Sequence, residues 1–397
     1  MTDDANEQAV EFADLPSEDD LGVVDGDGFS RAVVHSTDWT AETIVSQLKR
    51  GNILLKPRFQ RRDAWKIQQK SRFIESLILG LPVPQIVLAE QKEQRGKFIV
   101  LDGKQRLLSL LQFWGEGEDG PNRGFKLSGL QVRLELNKVS YDKLSTEPRY
   151  ESFYNSLSNQ PIRTVVIKNW PDTNFLHLVF LRLNTGSVKL SPQELRQAIV
   201  PGPFTDWIDE AAIQSQVLKR LLNLDAPDYR MRDVELMARY FAFRNFLKYY
   251  RGRMKEFLDF SFAKFNEEWA DREPLCVAQL AEFDAAVQEL ETLFGEDIAR
   301  KPGGRQLNKA IFDFLVFYAV RADVRQVLNL HAPALRAAYQ GLFEDREFVA
   351  SIDRDTAGLP STTRRIAAWG QVLNDVGDLN LPLPQLVDVD GEQRIHL

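Results

Sequence analysis

The sequence predicts an α+β fold in its first half and an all-α fold in its second. Three observations carry this. The runs "PQIVLAEQ", "KFIVLD" and "IRTVVIKNW" are short, apolar and bounded by turn residues, as strands are. Longer segments with apolar residues at helical spacing separate them. From about residue 205 onward strand signals fade and helical periodicity takes over. With 397 residues the chain has length for two domains, and its 44% apolar and 27% charged content is ordinary for a globular protein.

Residues 1–36 read as an acidic, disordered tail. The first thirty carry ten acids and no Lys or Arg, which accounts for the formal charge of −7; without them 50 cations face 47 acids. Such a tail solubilises the chain, or docks as an acidic arm on a basic groove. "TDWTAETIVSQLKRGNILL" is a helix capped by Thr40, with Ile44, Val45 and Leu48 on one stripe and Gly51 as its stop. A basic connector, "KPRFQRRDAW", leads to a second helix, "KIQQKSRFIESLILGLP", which Gly80 and Pro82 end. Glu75 interrupts its apolar face; it either pairs with Arg72 or faces a site. Two strands follow around the charged turn "KEQRG", and then a helix after Gly103 with Leu107, Leu108, Leu111 and Trp114 on one side. Residues 116–130 are a Gly-rich loop. After the third strand, "NFLHLVFLRLNTGSVKL" is a helix that breaks at Asn184-Thr185-Gly186. "SPQELRQAIV" opens with Ser191 as cap, Pro192 in the first turn and Glu194 three residues on, a capping box. Pro201, Gly202 and Pro203 then interrupt the pattern, so the domains are drawn at 37–205 and 206–397.

The chemistry concentrates at "VLDGKQRLLSLLQFW". A strand that ends in Asp102-Gly103 and runs into a helix leaves free backbone N–H groups at a positive helix end, where anions bind. Gly103 permits close approach, Lys104 adds a point charge and Arg106 a planar fork suited to phosphate. Asp102 can hold Mg²⁺ bridged to phosphate, or orient an Arg; Gln105 can contact a ligand or position a water. The structural alternative is a capped helix closed by an Asp102–Arg106 pair at i,i+4. Two more polar clusters occur, "RFQRRDAW" with Arg58, Gln60, Arg61, Arg62 and Trp65, and "LRLNTG…SPQELR" with Arg182, Asn184, Gln193, Glu194 and Arg196.

Several classes are excluded. No Walker motif is present. The four histidines have no metal-ligand spacing, and no stretch resembles a His-Asn-His nuclease. The lone Cys276 forms no intrachain disulfide and reads as core filler. No run is long and apolar enough to cross a membrane and no secretory signal is expected, which fits the cytoplasm.

Three pieces in order, "FQRRDAWKIQQKSRFIESLILGLPVPQIVL", "FIVLDGKQRLLSLLQFW" and "VFLRLNTGSVKLSPQELRQAI", resemble the family marked by a D-G-Q-Q-R motif. This is the N-terminal domain type of GmrSD-like, modification-dependent restriction systems, itself similar to the ParB/sulfiredoxin-like fold. The resemblance covers roughly residues 37–200 and more weakly continues to about 260. It implies nucleoside triphosphate binding, with hydrolysis left open, and a role in defence against foreign DNA. The family's Q-R-x-x-x-W falls on Gln60, Arg61 and Trp65; D-G-Q-Q-R falls on Asp102, Gly103, Gln105 and Arg106. Its asparagine turn falls on Asn184, and its Q-E-L-R helix start on Gln193, Glu194 and Arg196. Lys104 departs from the pattern, and the second half lacks the family's nuclease residues.

The combined expectation is a nucleotide site with Arg58, Arg61, Lys104 and Arg106 on phosphates. Gln60, Gln105 and Asn184 contact base, sugar or water, and Asp102 holds Mg²⁺ or orients an Arg; Asp102 and Gln105 are the catalytic candidates if hydrolysis occurs. Trp65, Gly103, Gln193 and Arg196 complete the lining. The partners expected are a nucleoside triphosphate, DNA or a separate nuclease, and a second copy of the chain, with no membrane. Three function classes stay open: a nucleotide-binding regulator of a defence system, a ParB-like DNA clamp, and a nucleotide-independent interaction module.

Overall fold

In the computed structural model, which describes residues 31–55, 62–115, 124–183, 191–389 and 391–397, the chain divides into two compact units between Ile199 and Val200. Thr40 ends strand β1 (Val33–Thr40) and starts helix α1 (Ala41–Lys49). Its hydroxyl accepts the Thr43 N–H at 3.1 Å, the cap that its side chain predicts. Gly51, at φ +62°, turns the chain out of the helix toward β2 (Ile53–Leu54). Then come α2 (Ile67–Ile78), β3 (Ile86–Glu90), β4 (Phe98–Asp102), α3 (Lys104–Phe113), α4 (Tyr141–Thr146), α5 (Glu151–Asn159), β5 (Pro161–Lys168), α6 (Thr173–Leu183) and α7 (Pro192–Ile199).

The five strands form one mixed sheet in the order β1-β5-β3-β4-β2. β5 lies antiparallel to β1 and parallel to β3, β3 antiparallel to β4, and β4 parallel to β2. Alternate residues feed opposite faces. Ile86, Leu88, Phe98, Val100, Ile162 and Val166 pack under α1, α2 and α3. Val87, Ala89, Ile99, Leu101 and Ile167 pack under α6 and α7. With both faces covered, β3 and β4 need apolar residues throughout, which is why they read as continuous apolar runs. β1 escaped the sequence reading. "VVHSTDWT" is an edge strand, mostly exposed, and held by its pairing to β5 from Val33↔Lys168 to Thr40↔Pro161.

The second unit is helical: α8 (Pro203–Gln214), α9 (Gln216–Leu221), α10 (Arg232–Phe246), α11 (Met254–Glu267), α12 (Trp269–Phe294), α13 (Lys309–Ala319), α14 (Ala322–Leu330), α15 (Ala332–Leu342), α16 (Arg346–Asp353) and α17 (Leu359–Gly377). It closes with a hairpin, β6 (Gln385–Val389) and β7 (Glu392–His396), which the helical expectation omitted. Gly391, at φ +82°, donates its N–H to Asp388 Oδ1 at 2.9 Å between the two strands. Among the described residues no helix is long and apolar enough to cross a membrane.

Burial raises the phenol pKa of Tyr240, Tyr318 and Tyr339, and pushes that of Tyr250 up to about 12. A raised acid resists ionisation while folded, whereas the unfolded chain ionises near pH ~10. The stability these phenols contribute is therefore present below ~10 and lost as pH climbs through the folded values. Alkaline titration is expected to unfold the helical unit cooperatively above pH ~10, with tyrosinate absorbance rising at the unfolding midpoint rather than before it.

Candidate functional site

β4 delivers Asp102 to the edge of the core, and Gly103 makes the turn into α3 at φ +97°. A Cβ at Gly103 would sit 3.1 Å from Ile86 Cγ1 and 3.3 Å from Arg106 Nη2, so backbone conformation and space both favour glycine. The first N–H groups of α3 have no acceptor within their own helix, and the dipole there is positive.

Each side chain of the corner reaches a different neighbour. Asp102 accepts from Arg106 Nη2 at 2.9 Å, and the same Nη2 donates to the Gln85 carbonyl at 2.9 Å. Arg106 Nε is buried and finds no acceptor. Asp102 is the more open partner, 34% exposed against 13% for Arg106. Gln105 Oε1 accepts the N–H groups of Ala64 and Trp65, both at 3.3 Å. Its oxygen is thus held. Lys104 turns inward: its Nζ lies 2.6 Å from Glu194 Oε1, and the residue is 5% exposed. The other Glu194 oxygen accepts the Ser191 N–H at 2.7 Å while Ser191 Oγ accepts the Glu194 N–H at 3.1 Å, closing the capping box that opens α7. The gap beside this pair, lined by Leu54, Leu55, Val100 and Leu195, holds about 20 Å³, room for a water and no more.

A second buried network backs the first. Asp63 Oδ2 meets Lys70 Nζ and accepts from Gln112 Nε2 at 3.1 Å; Lys70 also donates to Gln112 Oε1 at 2.8 Å. Asp63 Oδ1 accepts the Trp65 N–H at 3.2 Å. Desolvation lowers the pKa of Lys70, and the Asp63 carboxylate pulls it back up. The Trp65 indole packs edge-on against Phe73 at 5.9 Å, part of the core rather than a platform for a base.

Parts of the three polar clusters are therefore linked. Ala64-Trp65, the corner and the start of α7 are joined through Gln105 and Lys104. Arg58, Gln60, Arg61 and Asn184 lie outside the described residues. Gln193 and Arg196 are in α7 and buried, Arg196 Nη1 donating to Gln193 Oε1. Gln193 Nε2 is buried without an acceptor. Two readings change. Lys104 is sealed against Glu194 instead of standing at the mouth. Glu75 neither pairs with Arg72 nor faces the corner: its carboxylate accepts the N–H groups of Gln131, Val132 and Arg133 at 3.4, 3.0 and 2.6 Å and anchors that loop. Asp63, Lys70 and Gln112 were not singled out from the sequence. The signal was Lys70 itself, which sits in the inward row of α2 with Ile67, Ile74 and Leu77.

For a metal, Asp102 offers one carboxylate already shared with Arg106. No group of three or more His, Cys, Asp or Glu that could hold an ion occurs among the described residues. Mg²⁺ here fits only as an ion carried largely by phosphate oxygens and water, its usual manner with nucleotides.

Residues 41–201, from the first residue of α1 to just past the end of α7, match the family model described as "GmrSD restriction endonuclease, N-terminal domain". No curated protein and no solved structure matches the chain.

Proposed function

We propose, with residues 41–201 as a GmrSD-type N-terminal domain, that the protein is the nucleoside-triphosphate-binding regulatory component of a restriction-type DNA-defence system, acting with a separate nuclease. The observation that supports this best is an unmatched donor in the first turn of α3. Arg106 Nε is buried without an acceptor, and Arg106 stands with Gln105 at the positive end of that helix. A triphosphate oxygen is an acceptor that such a donor suits. Asp102, open beside Arg106, would hold Mg²⁺ against the phosphates when it is bound, and Gln105 would hold a phosphate oxygen or a water. In this reading Lys104 contributes through Glu194, by keeping α7 and its Gln193 and Arg196 against the corner. Arg58, Gln60, Arg61 and Asn184 are proposed to complete the site.

Calorimetric titration of the purified chain with each of the four ribonucleoside triphosphates, with and without Mg²⁺, tests the reading. At least one is expected to bind, and Arg106→Ala is expected to weaken it by roughly ten- to a hundredfold, a charge-assisted contact of ~1.5–3 kcal/mol. An equal affinity in the folded variant would remove Arg106 from the site. A second reading rests on the two ion pairs of the corner, Asp102 with Arg106 and Lys104 with Glu194: the corner is then a structural joint in an interaction module, and no triphosphate gives heat. Nucleotide-dependent, salt-sensitive retention of DNA would instead favour a ParB-like clamp.

A further inference from the structure

The helical unit contains a cavity of about 320 Å³ between α10, the turn that follows it, α13 and the segment around Pro382. That volume lies at the small end of ligand pockets, ~300–1,000 Å³. Its walls carry Tyr240, Phe243, Phe312 and Phe317, with Val316 between the last two. Aromatic faces around an open space forgo the contacts that a packed core would give them.

The wall's polar atoms are already committed. Tyr240 Oη donates to the Gln279 carbonyl at 3.0 Å, Tyr318 Oη to the Pro382 carbonyl at 2.8 Å, and Asp313 is held by Arg239. The interior is therefore lined by aromatic side chains whose hydroxyls are already bonded. The rim is cationic, with Arg244, Lys248 and Arg321. Arg244 has Glu282 at 3.3 Å and Arg321 has Asp323 at 2.6 Å. Lys248 forms no ion pair among the described residues; its ammonium lies 5.0 Å from the Tyr249 ring centre, and the residue is exposed.

We infer that this cavity binds a small aromatic anion, its ring against the Phe243 and Phe317 walls and its acid group on Lys248. Flat aromatic bodies gain from ring faces without needing specific donors, and a cation at the rim supplies the charge match. Two sources share that chemistry, a nucleoside monophosphate and an aromatic carboxylic acid.

The test is calorimetric titration of the full chain with thymidine 5′-monophosphate in one arm and 2-naphthoate in the other. One-to-one binding of at least one probe is expected. Lys248→Glu should weaken it by at least about tenfold, and Val316→Phe, which fills the space, should abolish it. Lys248 is exposed, so Lys248→Glu decides the matter even if the filled variant melts early. Binding should persist in Arg106→Ala, which separates this site from the corner in the other unit. No binding of either probe at millimolar concentration, or equal binding by Lys248→Glu, overturns the inference. Binding of the nucleotide alone points to nucleic acid as the source, and binding of the naphthoate alone to a free acid.

Discussion

Asp63→Ala is expected to destabilise the N-terminal unit by about 3–5 kcal/mol, the range for breaking a buried ion pair from one side. Lys70 has no exposed surface, so its ammonium would be left in the core with only Gln112 for company. The Gln112 NH₂ and the Trp65 N–H would lose an acceptor as well. The double variant Asp63→Ala/Lys70→Met should recover much of the loss, because the cost lies in the stranded charge and not in a strong net attraction. The pKa direction agrees. Desolvation, the largest influence, lowers Lys70, so between its folded value and ~10.4 the unfolded chain holds the proton more tightly. The contribution of Lys70 is thus favourable only at high pH and is lost as pH falls through the folded value, which makes it a burden near neutrality. Chemical denaturation of the two single variants and the double closes the cycle. Additive losses, or a loss below about 1 kcal/mol for Asp63→Ala, would show that the network holds nothing in place.

Glu194→Ala should have a comparable effect for two reasons that can be separated. It removes the carboxylate that the buried Lys104 meets, and it removes one half of the capping box of α7. The first is again about 3–5 kcal/mol and the second about 1 kcal/mol. Glu194→Gln keeps an oxygen for the Ser191 N–H but not the charge, so it should recover the smaller share alone. Thermal melts of both variants read this directly, and identical melting points would assign the whole effect to the ion pair. Because Glu194 ties α7 to the corner, both variants should also weaken any triphosphate binding, even though Glu194 itself is buried away from the mouth.

Much of the N-terminal unit was legible because its signals are local. The Thr40 cap, the Gly51 stop, the apolar runs of β3 and β4 and the Ser191–Glu194 box each specify structure within a few residues. β1 was not legible, since "VVHSTDWT" is held by β5 more than a hundred residues away and shows no buried face of its own. Within the corner, spacing announced the Asp102–Arg106 pair and the Gly103 turn. The direction of Lys104 was beyond it: whether an ammonium after a glycine turn points out to a phosphate or in to a carboxylate depends on Glu194, ninety positions along. The same holds for Asp63, Lys70 and Gln112, polar residues that read as surface until helix packing brings them together. In the helical unit, periodicity found α10 to α13 and α15, while α17, 19 residues long, and the closing hairpin went unread.

The placement of β5 sets an order of events during synthesis. It lies between β1 and β3 in the sheet, yet it is the last of the five strands to be made. While residues 33–102 are emerging, β3 can pair with β4 and β4 with β2, but β1 has no neighbour and one edge of β3 stays open. Joining them requires closure of a loop that spans Val33 to Lys168, a slow event for a nascent chain compared with forming any of its helices. For that interval the apolar edge of β3 is the part of the chain most exposed to pairing with a foreign strand. The arrival of β5 ends the interval and completes the sheet in one step.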